Sequence, residues 1–490
     1  MYKENLTYDK TSPEDIERYA KTLVGKTFYD VLKKNVISDK VAKKEVYYNN
    51  SRSKGGLGNL LEEYFFFYEP NSDSEPDFAE AGVELKVTPY EYTKTKKIRA
   101  GERLVIGMIP NREPIEEDFY KSHLLYKMKL MLLIFYLRDK DIPRVLYQID
   151  YVLLFSILSE NCKEDLQIII DDYKKITSKI MEGKAHELSE GDTRYLGACT
   201  KGGTSKSIIQ PQYYNSDVPA KRRAFSLKQG YMTYIINHYI LNDIATYDAA
   251  FTAEELEKVD FDNEILNRIS KYKGQSEEEL YKYFDLKGTT KQKNNNVVCR
   301  MLGVKSDRVA EFEKADIKIK TVRVQKNGKP KESMSFPAMV IKDFVKEDFE
   351  ESEVYDYFSK TRFLFVVFRE QPNGKYILSG SKFWNMPITQ LETEGKKEWE
   401  IFRNKFIEGV ELLPKKQKNG IVISNDLPKQ KDTEIFHLRP HANKSRYVID
   451  GVNYGKGKES DMDELPNGDK MTKQCFWLNS SYVANLIKDI

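Results

Sequence analysis

Residues 76–86, PDFAEAGVELK, join an acidic turn to an alternating segment that predicts a β-strand. Glu84 and Lys86 stand two positions apart, so on a strand both side chains point to the same face. Asp77 arrives from the preceding turn. Two carboxylates and the backbone carbonyl of Leu85 would offer hard oxygen ligands to Mg²⁺. Lys86 would then orient or deprotonate a water molecule for attack on a phosphodiester.

This pattern alone has a second interpretation, because a chain with 32% charged residues contains such spacings by chance. The alternative is a solvated strand edge that carries an ordinary ion pair. The upstream segment favours the metal site. Residues 57–68 (LGNLLEEYFFFY) predict a largely buried helix, on which Glu62 would bring a third carboxylate to the same cleft. A buried carboxylate needs a partner, and a metal ion is one; the alternative is a surface acid beside Glu63.

The composition excludes several classes of protein. The four cysteines form no C-x-x-C pair, the five histidines form no H-E-x-x-H motif, and no G-x-x-x-x-G-K-[ST] loop is present. A disulfide framework, a histidine-based metalloenzyme and a P-loop ATPase are therefore not expected. The longest apolar stretch, at 130–137, is far shorter than a membrane span, and the N-terminus lacks an apolar signal core. We expect a cytoplasmic protein without a membrane partner.

Length and charge indicate several domains and a local DNA-binding surface. A chain of 490 residues exceeds one core and predicts two or three domains. The 79 Lys and Arg residues nearly balance 76 Asp and Glu residues, so net charge alone does not indicate nucleic-acid binding. Basic residues nevertheless concentrate at 196–240, with six against one acid, and at 304–331, with nine against four. Such stretches are typical of phosphate-binding surfaces.

Local patterns predict helices and strands in both halves, hence an α/β or mixed α+β fold. Ser12-Pro13 and Ser276-Glu-Glu-Glu279 are typical helix starts. In the first half we expect helices at 117–137 and 142–183 and strands at 83–87 and 103–109. In the second half, strand 363–368 pairs with strand 375–384.

A faint internal repeat organises the chain. Residues 77–88 match 311–322 at a spacing of 234, and two later blocks match in the same order at spacings of 240 and 251: 192–202 with 432–442, and 222–228 with 473–479. Gene duplication explains the conserved order and the growing spacing. The alternative is two unrelated domains that share common strand patterns.

The second copy has lost the acidic pattern of the first. The spacing of 234 places Glu311, Lys318 and Lys320 opposite the Asp, Glu and Lys of the first copy, and no acid lies between Asp285 and Asp307, where the counterpart of Glu62 should fall. Two lysines would repel a divalent cation. We therefore predict that the second copy binds without cleaving.

The motifs carry a resemblance to a known family. K-G-x-x-G-N-L-L-E at 54–62, followed by P-D-x6-E-x-K at 76–86, resembles the MutH-like branch of the PD-(D/E)xK nucleases. Further blocks, spread over nearly the whole chain, resemble restriction endonucleases of the Sau-three-A-I type: 183–191, 195–202, 224–233, 331–336 and 471–477.

The resemblance implies two tandem MutH-like restriction-endonuclease-fold domains, of α/β or mixed α+β class, the second catalytically degraded. We place the catalytic domain at 1–241, a connector at 242–272 and the effector domain at 273–490. The family recognises GATC, cuts before the G to leave a four-base 5′ overhang, and uses Mg²⁺, with one or two ions per site. Its C-terminal half binds a second GATC copy and promotes cleavage at the first.

Carried onto the matching positions, the resemblance assigns the site residues. Asp77 and Glu84 become metal ligands together with the Leu85 carbonyl, Lys86 becomes the water-activating lysine, and Glu62 helps to position metal or water.

The resemblance also implies DNA contacts in the first copy. Lys54 matches a DNA-contacting lysine, and Arg103 falls near the position of a site lysine, although it could instead be a surface charge at a strand end. Lys201 ends a loop that matches one entering the major groove, where it would donate to guanine. The same basic stretch supplies three further candidates: Arg222, Arg223 and Lys228.

In the second copy the equivalent positions carry four candidate DNA contacts: Arg439, His441, Lys473 and Trp477. Arg439 is the better bidentate reader of guanine. Any single basic residue among these candidates could be a solvated charge, and Trp477 could belong to the core.

Two other functions stay open at this point. One is a methyl-directed strand-nicking mismatch-repair enzyme, which is single-copy and half this length; the other is a non-cleaving DNA-binding regulator. The favoured partner is double-stranded DNA containing GATC, bound by a chain that is monomeric when free and that dimerises or bridges two sites on DNA in the bacterial cytoplasm.

Overall fold

The computed structural model describes residues 6–50, 56–70, 75–93, 95–201, 209–242, 249–306, 308–331, 334–417 and 420–490. The chain forms two compact units. The first holds residues 1–260 and 308–317, and the second holds residues 261–307 and 318–490. Within the described ranges, no helix is long and apolar enough to cross a membrane.

The first unit combines an N-terminal helical layer with two sheets. Its helices are α1 (Pro13–Ala20), α2 (Phe28–Asn35), α3 (Ser38–Asn49), α4 (Gly56–Leu61), α5 (His123–Met128), α6 (Lys163–Met181), α7 (Gln229–Ile235) and α8 (Ala253–Lys258). Its strands are β1 (Glu84–Tyr92), β2 (Ile98–Ala100), β3 (Leu104–Met108), β4 (Met131–Leu137), β5 (Ile149–Phe155), β6 (Leu196–Thr200), β7 (Ile209–Gln210), β8 (Ala220–Lys221) and β9 (Arg223–Leu227). A π-helical turn, Glu62–Phe66, continues α4.

The sheet order of the first unit sets which face carries the acidic motif. Strands run in the order β2-β1-β4-β5, with β1 parallel to β4 from Glu84 opposite Met131 onward and the other pairs antiparallel. Leu85 and Leu132 belong to the core that includes residues of α1, α2 and α4. Glu84 and Lys86 therefore lie on the opposite face. A second, antiparallel sheet has the order β3-β9-β6.

The second unit repeats this arrangement with additions. Its helices are α9 (Phe261–Ser270), α10 (Glu277–Tyr283), α11 (Thr290–Met301), α13 (Ile341–Phe344), α14 (Glu353–Lys360), α15 (Ile388–Gln390), α16 (Lys396–Glu408) and α17 (Ser480–Leu486); α12 (Ala310–Lys314) belongs to the first unit. Its strands are β10 (Ile317–Val324), β11 (Ser335–Ala338), β12 (Arg362–Glu370), β13 (Tyr376–Trp384), β14 (Leu412–Gln417), β15 (Gly420–Asn425), β16 (Phe436–Pro440), β17 (Arg446–Ile449), β18 (Val452–Gly455), β19 (Met462–Glu464), β20 (Lys470–Thr472) and β21 (Gln474–Leu478).

Strand order and boundaries support the internal repeat. The sheets β10-β12-β13 and β11-β21-β16 correspond to β1-β4-β5 and β3-β9-β6. Strands β16 and β21 begin and end 240 and 251 residues after β6 and β9, the two spacings that the repeat predicts. The predicted pairing of 363–368 with 375–384 is present as β12 and β13, and the predicted capping box at Ser276 is also present.

In each unit, a buried carboxylate on a helix accepts hydrogen bonds from the backbone next to and within the second sheet. Asp172 on α6 accepts hydrogen bonds from the backbone N–H groups of residues 194–196 at 2.6–3.1 Å. Glu398 on α16 accepts from those of residues 434–436 at 2.5–3.1 Å. The two sets of N–H donors lie 240 residues apart. The two units thus share an internal polar contact as well as a strand order.

The predicted long helices at 117–137 and 142–183 are wrong in part. Residues 131–137 and 149–155 form β4 and β5, and the α-helices cover only 123–128 of the first segment and 163–181 of the second. Strand β4 lies between two other strands and is buried almost throughout. A strand covered on both faces reads as a continuous apolar run, which periodicity alone does not distinguish from a buried helix.

The division into units differs from the predicted boundaries, 1–241, 242–272 and 273–490. The described part of 242–272 is not a separate connector, because α8 packs on α6 in the first unit and α9 packs on β13 in the second. Residues 308–317 return to the first unit, where the ammonium of Lys314 lies 2.7 Å from the carboxylate of Asp165 in a buried ion pair. Gly230 permits this approach, since a Cβ there would lie 2.4 Å from the carbonyl oxygen of Glu313.

We predict that Asp172→Ala lowers the free energy of unfolding of the first unit by about 3–5 kcal/mol. The substitution leaves three backbone N–H groups and the guanidinium of Arg194 without their shared buried acceptor. Urea unfolding followed by circular dichroism measures the change.

The matched control is Asp171→Ala on the same helix. The Asp171 carboxylate is 30% exposed and lies 3.7 Å from Arg194, so its loss should cost less than about 1 kcal/mol. Equal costs for the two variants would contradict the structural role given to Asp172.

Candidate active site

A tight hairpin fixes Asp77 against the start of β1. Phe78 and Val83 exchange backbone hydrogen bonds at 2.9 and 3.2 Å, and Gly82 turns the chain with a φ of +65°. The N–H of Leu85 donates to a carboxylate oxygen of Asp77 at 2.8 Å. The turn and the strand thus bring Asp77 to β1, as the sequence predicts.

The carbonyl of Leu85 emerges beside Asp77. The N–H of Glu84 donates to the carbonyl of Leu130 next to β4, so Leu85 directs both its N–H and its C=O to the other edge of β1. Strand β2 covers that edge only from Tyr90 onward. An oxygen ligand therefore lies at the open edge of the strand, on the side of the Asp77 carboxylate.

Glu84 is buried, with 2% of its surface exposed, and two ammonium groups approach the same carboxylate oxygen. Its Oε1 lies 2.7 Å from Nζ of Lys86 and 3.4 Å from Nζ of Lys127. Its Oε2 is buried and has no hydrogen-bond partner among the residues that the structure describes. A buried carboxylate oxygen without a partner is an acceptor suited to a cation.

Mutual repulsion and burial make the acidic cluster hold protons. Burial, followed by the charge of Asp77, raises the pKa of Glu62 to about 7. Burial, followed by the charge of Glu84, raises the pKa of Asp77 to about 6, although Lys86 and the N–H of Leu85 oppose the rise. A divalent cation would relieve this repulsion, so the donor set fits such an ion.

Glu63 faces a different environment from Glu62. Its carboxylate accepts from the ammonium of Lys44 at 3.3 Å, from the hydroxyl of Tyr48 at 3.1 Å and from the hydroxyl of Tyr64. At the π-helical turn 62–66 the two neighbouring carboxylates therefore face different environments, and Glu62 belongs to the acidic cluster with Asp77.

These residues line one cavity of about 1200 Å³ in the first unit. Its lining includes Glu62, Asp77, Glu84, Leu85, Lys86, Lys127 and Lys201. Among the described residues, no group of three or more His, Cys, Asp or Glu side chains is arranged to hold a metal ion. A metal here would thus bind to two carboxylates and the Leu85 carbonyl, with Glu62 outside that set.

Lys127 is a site residue that the sequence reasoning missed. It extends from α5, which packs against β3, and reaches the Glu84 carboxylate. Nothing in the spacing around 76–86 indicates a helix so far along the chain, and only the packing of the elements brings the two together.

The predicted DNA contacts of the first unit fall in different environments. Lys201 is exposed at the cavity, and Arg222 is partly buried at the base of the same loop, where its carbonyl accepts from the N–H of Lys201. Arg103 forms an ion pair of 2.9 Å with buried Glu190 and does not line the cavity. Lys54 lies outside the described residues.

Burial contradicts the predicted DNA contacts at Arg223 and Lys228. Arg223 is 4% exposed and donates to the carbonyl of Ala198 at 2.9 Å, and Lys228 is 2% exposed and donates to the carbonyl of Thr193. In the second unit Asn479 donates in the same way to the carbonyl of Thr433. Arg223 and Lys228 therefore stabilise the strands through these hydrogen bonds. The residue type alone does not distinguish this role from DNA binding.

In the second unit the four candidates lie on, or directly next to, the paired strands β16 and β21. The guanidinium of exposed Arg439 lies 5.7 Å from the ring centroid of Trp477, across the β16–β21 pair. The N–H of His441 donates to the carbonyl of Lys473 at 2.7 Å, just beyond the end of β16 and the start of β21. Trp477 is partly buried, so it contributes to the strand pair as well as to the surface.

The degraded motif of the second copy forms no equivalent of the acidic cluster. Lys318 and Lys320 occupy β10, the counterpart of β1. Glu311 lies in the segment that returns to the first unit, where its carboxylate accepts from the N–H groups of Ala250 and Phe251 at 3.0–3.1 Å. Its oxygens cap a turn there.

Comparisons with known proteins match both halves of the chain. The family model described as DNA mismatch repair enzyme MutH matches residues 66–172 and 302–394. The type II restriction enzyme Sau3AI of Staphylococcus aureus is 35% identical over 464 residues, covering 90% of this chain and 93% of the relative.

Mismatch repair proteins match a smaller part. MutH of Escherichia coli is 25% identical over 194 residues, which is 39% of this chain and 81% of the relative. MutH of Vibrio parahaemolyticus is 26% identical over 195 residues, with 39% and 82% covered.

The raised pKa of Glu62 predicts a pH-dependent stability. Because its folded-state pKa of about 7 exceeds the ordinary 4.5, the folded protein binds this proton more tightly than the unfolded chain does. The resulting stabilisation is complete below about pH 4.5 and is lost as the pH rises through about 7. In EDTA, Glu62→Gln should raise the free energy of unfolding by about 1–2 kcal/mol at pH 8 and leave it unchanged at pH 4.

Urea titrations at the two pH values measure this difference. The control, Glu63→Gln, should lower stability at pH 8, because it weakens the contacts with Lys44, Tyr48 and Tyr64. A Glu62→Gln protein less stable than the wild type at pH 8 would show that Glu62 is not held in a repulsive cluster.

Proposed function

The chain belongs to the Sau3AI family of type II restriction enzymes, and from this premise we propose that it cuts both DNA strands at GATC, before the G. The products would carry 5′-phosphates on a four-base overhang, and the reaction would require Mg²⁺. The family makes the chain a site-specific deoxyribonuclease. The observation that carries the finer proposal is the joint placement of Asp77, Glu84 and Lys86 in one cavity.

Asp77, the Oε2 atom of Glu84 and the carbonyl of Leu85 would hold the Mg²⁺ ion. Support comes from the unpartnered Oε2 atom, the open edge of β1, and the burial and repulsion by Glu84 that raise the pKa of Asp77. When bound, Mg²⁺ lowers the pKa of a water molecule and stabilises the charge that develops on the phosphate.

Lys86 would orient the attacking water, while its own ammonium is held by the hydrogen bond that it donates to Glu84. Its ammonium lies 2.7 Å from Glu84 Oε1, and only 19% of its side chain is exposed, so its position is restricted. Lys127 shares the same oxygen and adds positive charge beside the phosphate position. Glu62, set back from the two ligands, would hold or release a proton at the edge of the cluster.

The second unit would bind another GATC copy without cutting it. It has the same strand order, but lysines stand at the positions of Glu84 and Lys86. Arg439 and Trp477 lie on the paired strands β16 and β21, and His441 and Lys473 lie directly after β16 and directly before β21. We expect the free chain to be a monomer that bridges two sites or dimerises on DNA. Occupation of the second site would promote cleavage at the first.

We predict that Asp77→Asn and Lys86→Ala reduce cleavage of GATC-containing DNA by at least about a thousandfold, because each removes a group acting on the phosphate or the water. Neither substitution should weaken DNA binding more than about threefold. Plasmid digestion with Mg²⁺ and gel-shift titration in EDTA measure the two properties separately.

The control is Lys129→Ala. Lys129 follows Lys127 by two residues, but it does not line the cavity, and its ammonium lies 4.7 Å from the ring centroid of Tyr126. It should cut at nearly the wild-type rate. Equal losses of binding and cleavage in Asp77→Asn would remove the metal-site assignment.

We predict that a plasmid with two GATC sites is cut faster than one with a single site, and that Arg439→Ala abolishes the difference. The substitution removes the cation stacked on Trp477 while leaving the first unit unchanged. Initial rates on one-site and two-site plasmids measure the effect. Lys397→Ala, an exposed lysine on α16, is the control, and equal wild-type rates on both plasmids would refute an effector role.

A further inference from the structure

The hydroxyl of Tyr68 is buried in the first unit and, within the described part of the chain, has no hydrogen-bond partner. A phenylalanine would fill the same space, because the ring packs edge-on against Phe78 with a centroid distance of 5.4 Å. A buried donor without an acceptor costs about 1–3 kcal/mol. The packing of the ring therefore does not explain why the residue is a tyrosine.

The backbone directs Tyr68 back toward the acidic cluster. Phe67 adopts a left-handed conformation, with a φ of 60°, which is strained for a bulky side chain. The turn brings the N–H of Tyr68 to 3.0 Å from the carbonyl of Glu62, while its ring contacts the residue that follows Asp77. Tyr68 thus lies between the two segments that supply Glu62 and Asp77.

The carboxylates of the acidic cluster are the charges that most affect the Tyr68 hydroxyl. After burial, the charges that most raise the pKa of Tyr68 are those of Asp77 and then Glu62, ahead of Tyr8 and Glu84. A neutral phenol near carboxylates is a hydrogen-bond donor to them. One oxygen of Asp77 already accepts from the N–H of Leu85, which leaves the other carboxylate oxygen for a second donor.

We propose that Tyr68 is a positioning residue of the metal site, whose hydroxyl donates to the Asp77 carboxylate when that carboxylate turns to bind a divalent cation. This inference rests on the proposed metal site at Asp77, Glu84 and Leu85. Groups that hydrogen-bond to metal ligands fix the ligand orientation, and their loss typically weakens metal binding about 10–100-fold. The unpartnered hydroxyl then has its partner in the metal-loaded form.

The test uses Tyr68→Phe in the full chain and Mn²⁺ alone as the probe, without DNA. Electron paramagnetic resonance of free Mn²⁺ should show a dissociation constant about tenfold higher than that of the wild type. Thermal unfolding in EDTA should show equal or greater stability of the variant, because it loses an unsatisfied polar group. Cleavage should fall at low metal concentration and recover at saturating metal.

The matched control is Tyr195→Phe. Tyr195 also has a buried hydroxyl without a partner among the described residues, but its ring stacks on Tyr231 at 5.1 Å. After burial, the acidic charges that most raise its pKa are those of Asp165 and Glu311, which lie outside the acidic cluster. Removal of the Tyr195 hydroxyl should leave Mn²⁺ affinity unchanged.

Three results would overturn the inference. If the wild type binds Mn²⁺ and Tyr68→Phe binds it equally well, Tyr68 has no positioning role while the metal site stands. If Tyr68→Phe is markedly less stable than the wild type in EDTA, the hydroxyl already has a partner in the metal-free protein. If the wild type itself binds no Mn²⁺, the proposed metal site fails and this inference fails with it.

Discussion

The hydrogen bond from the N–H of Leu85 to Asp77 is the contact on which the site depends. It joins the acidic turn to the open edge of β1, so that one carboxylate, one backbone carbonyl and the Glu84–Lys86 face of the strand lie together. The parallel pairing with β4 fixes the position of β1, and the core that includes Leu85 excludes water from the other face of β1. The cluster resists ionisation for the same reason that it suits a cation.

The second unit has the strand order of the first unit but carries lysines at the positions of Glu84 and Lys86. Its sheets repeat the order of the first, and Glu398 fastens its second sheet as Asp172 does in the first unit. Lysines on β10 replace the acidic motif, while Arg439 and Trp477 form a surface pair. The same strand order therefore carries an acidic motif in one unit and lysines in the other, and the near-neutral total of +3 hides this contrast.

Local spacing was sufficient to predict Asp77, Glu84 and Lys86, because their geometry depends on a single turn and strand. It also predicted the repeat, since strand boundaries kept their spacings. Long-range packing decided the rest. The apolar sequence of buried β4 resembles that of a helix. Lys127 reaches Glu84 from α5, which lies far along the chain. Arg223 and Lys228 are buried and donate to backbone carbonyls. No local pattern distinguishes a lysine that caps a carbonyl from one that meets DNA.

The central claim is that the first unit hydrolyses DNA at GATC through a metal held by Asp77 and Glu84. Sequencing the ends of a plasmid digest, run with Mg²⁺ and with EDTA on adenine-methylated and unmethylated DNA, tests it most directly. We expect double-strand cuts before the G of every GATC, with four-base 5′ overhangs, only when Mg²⁺ is present. Nicks restricted to unmethylated sites, or cutting that persists in EDTA, would contradict it.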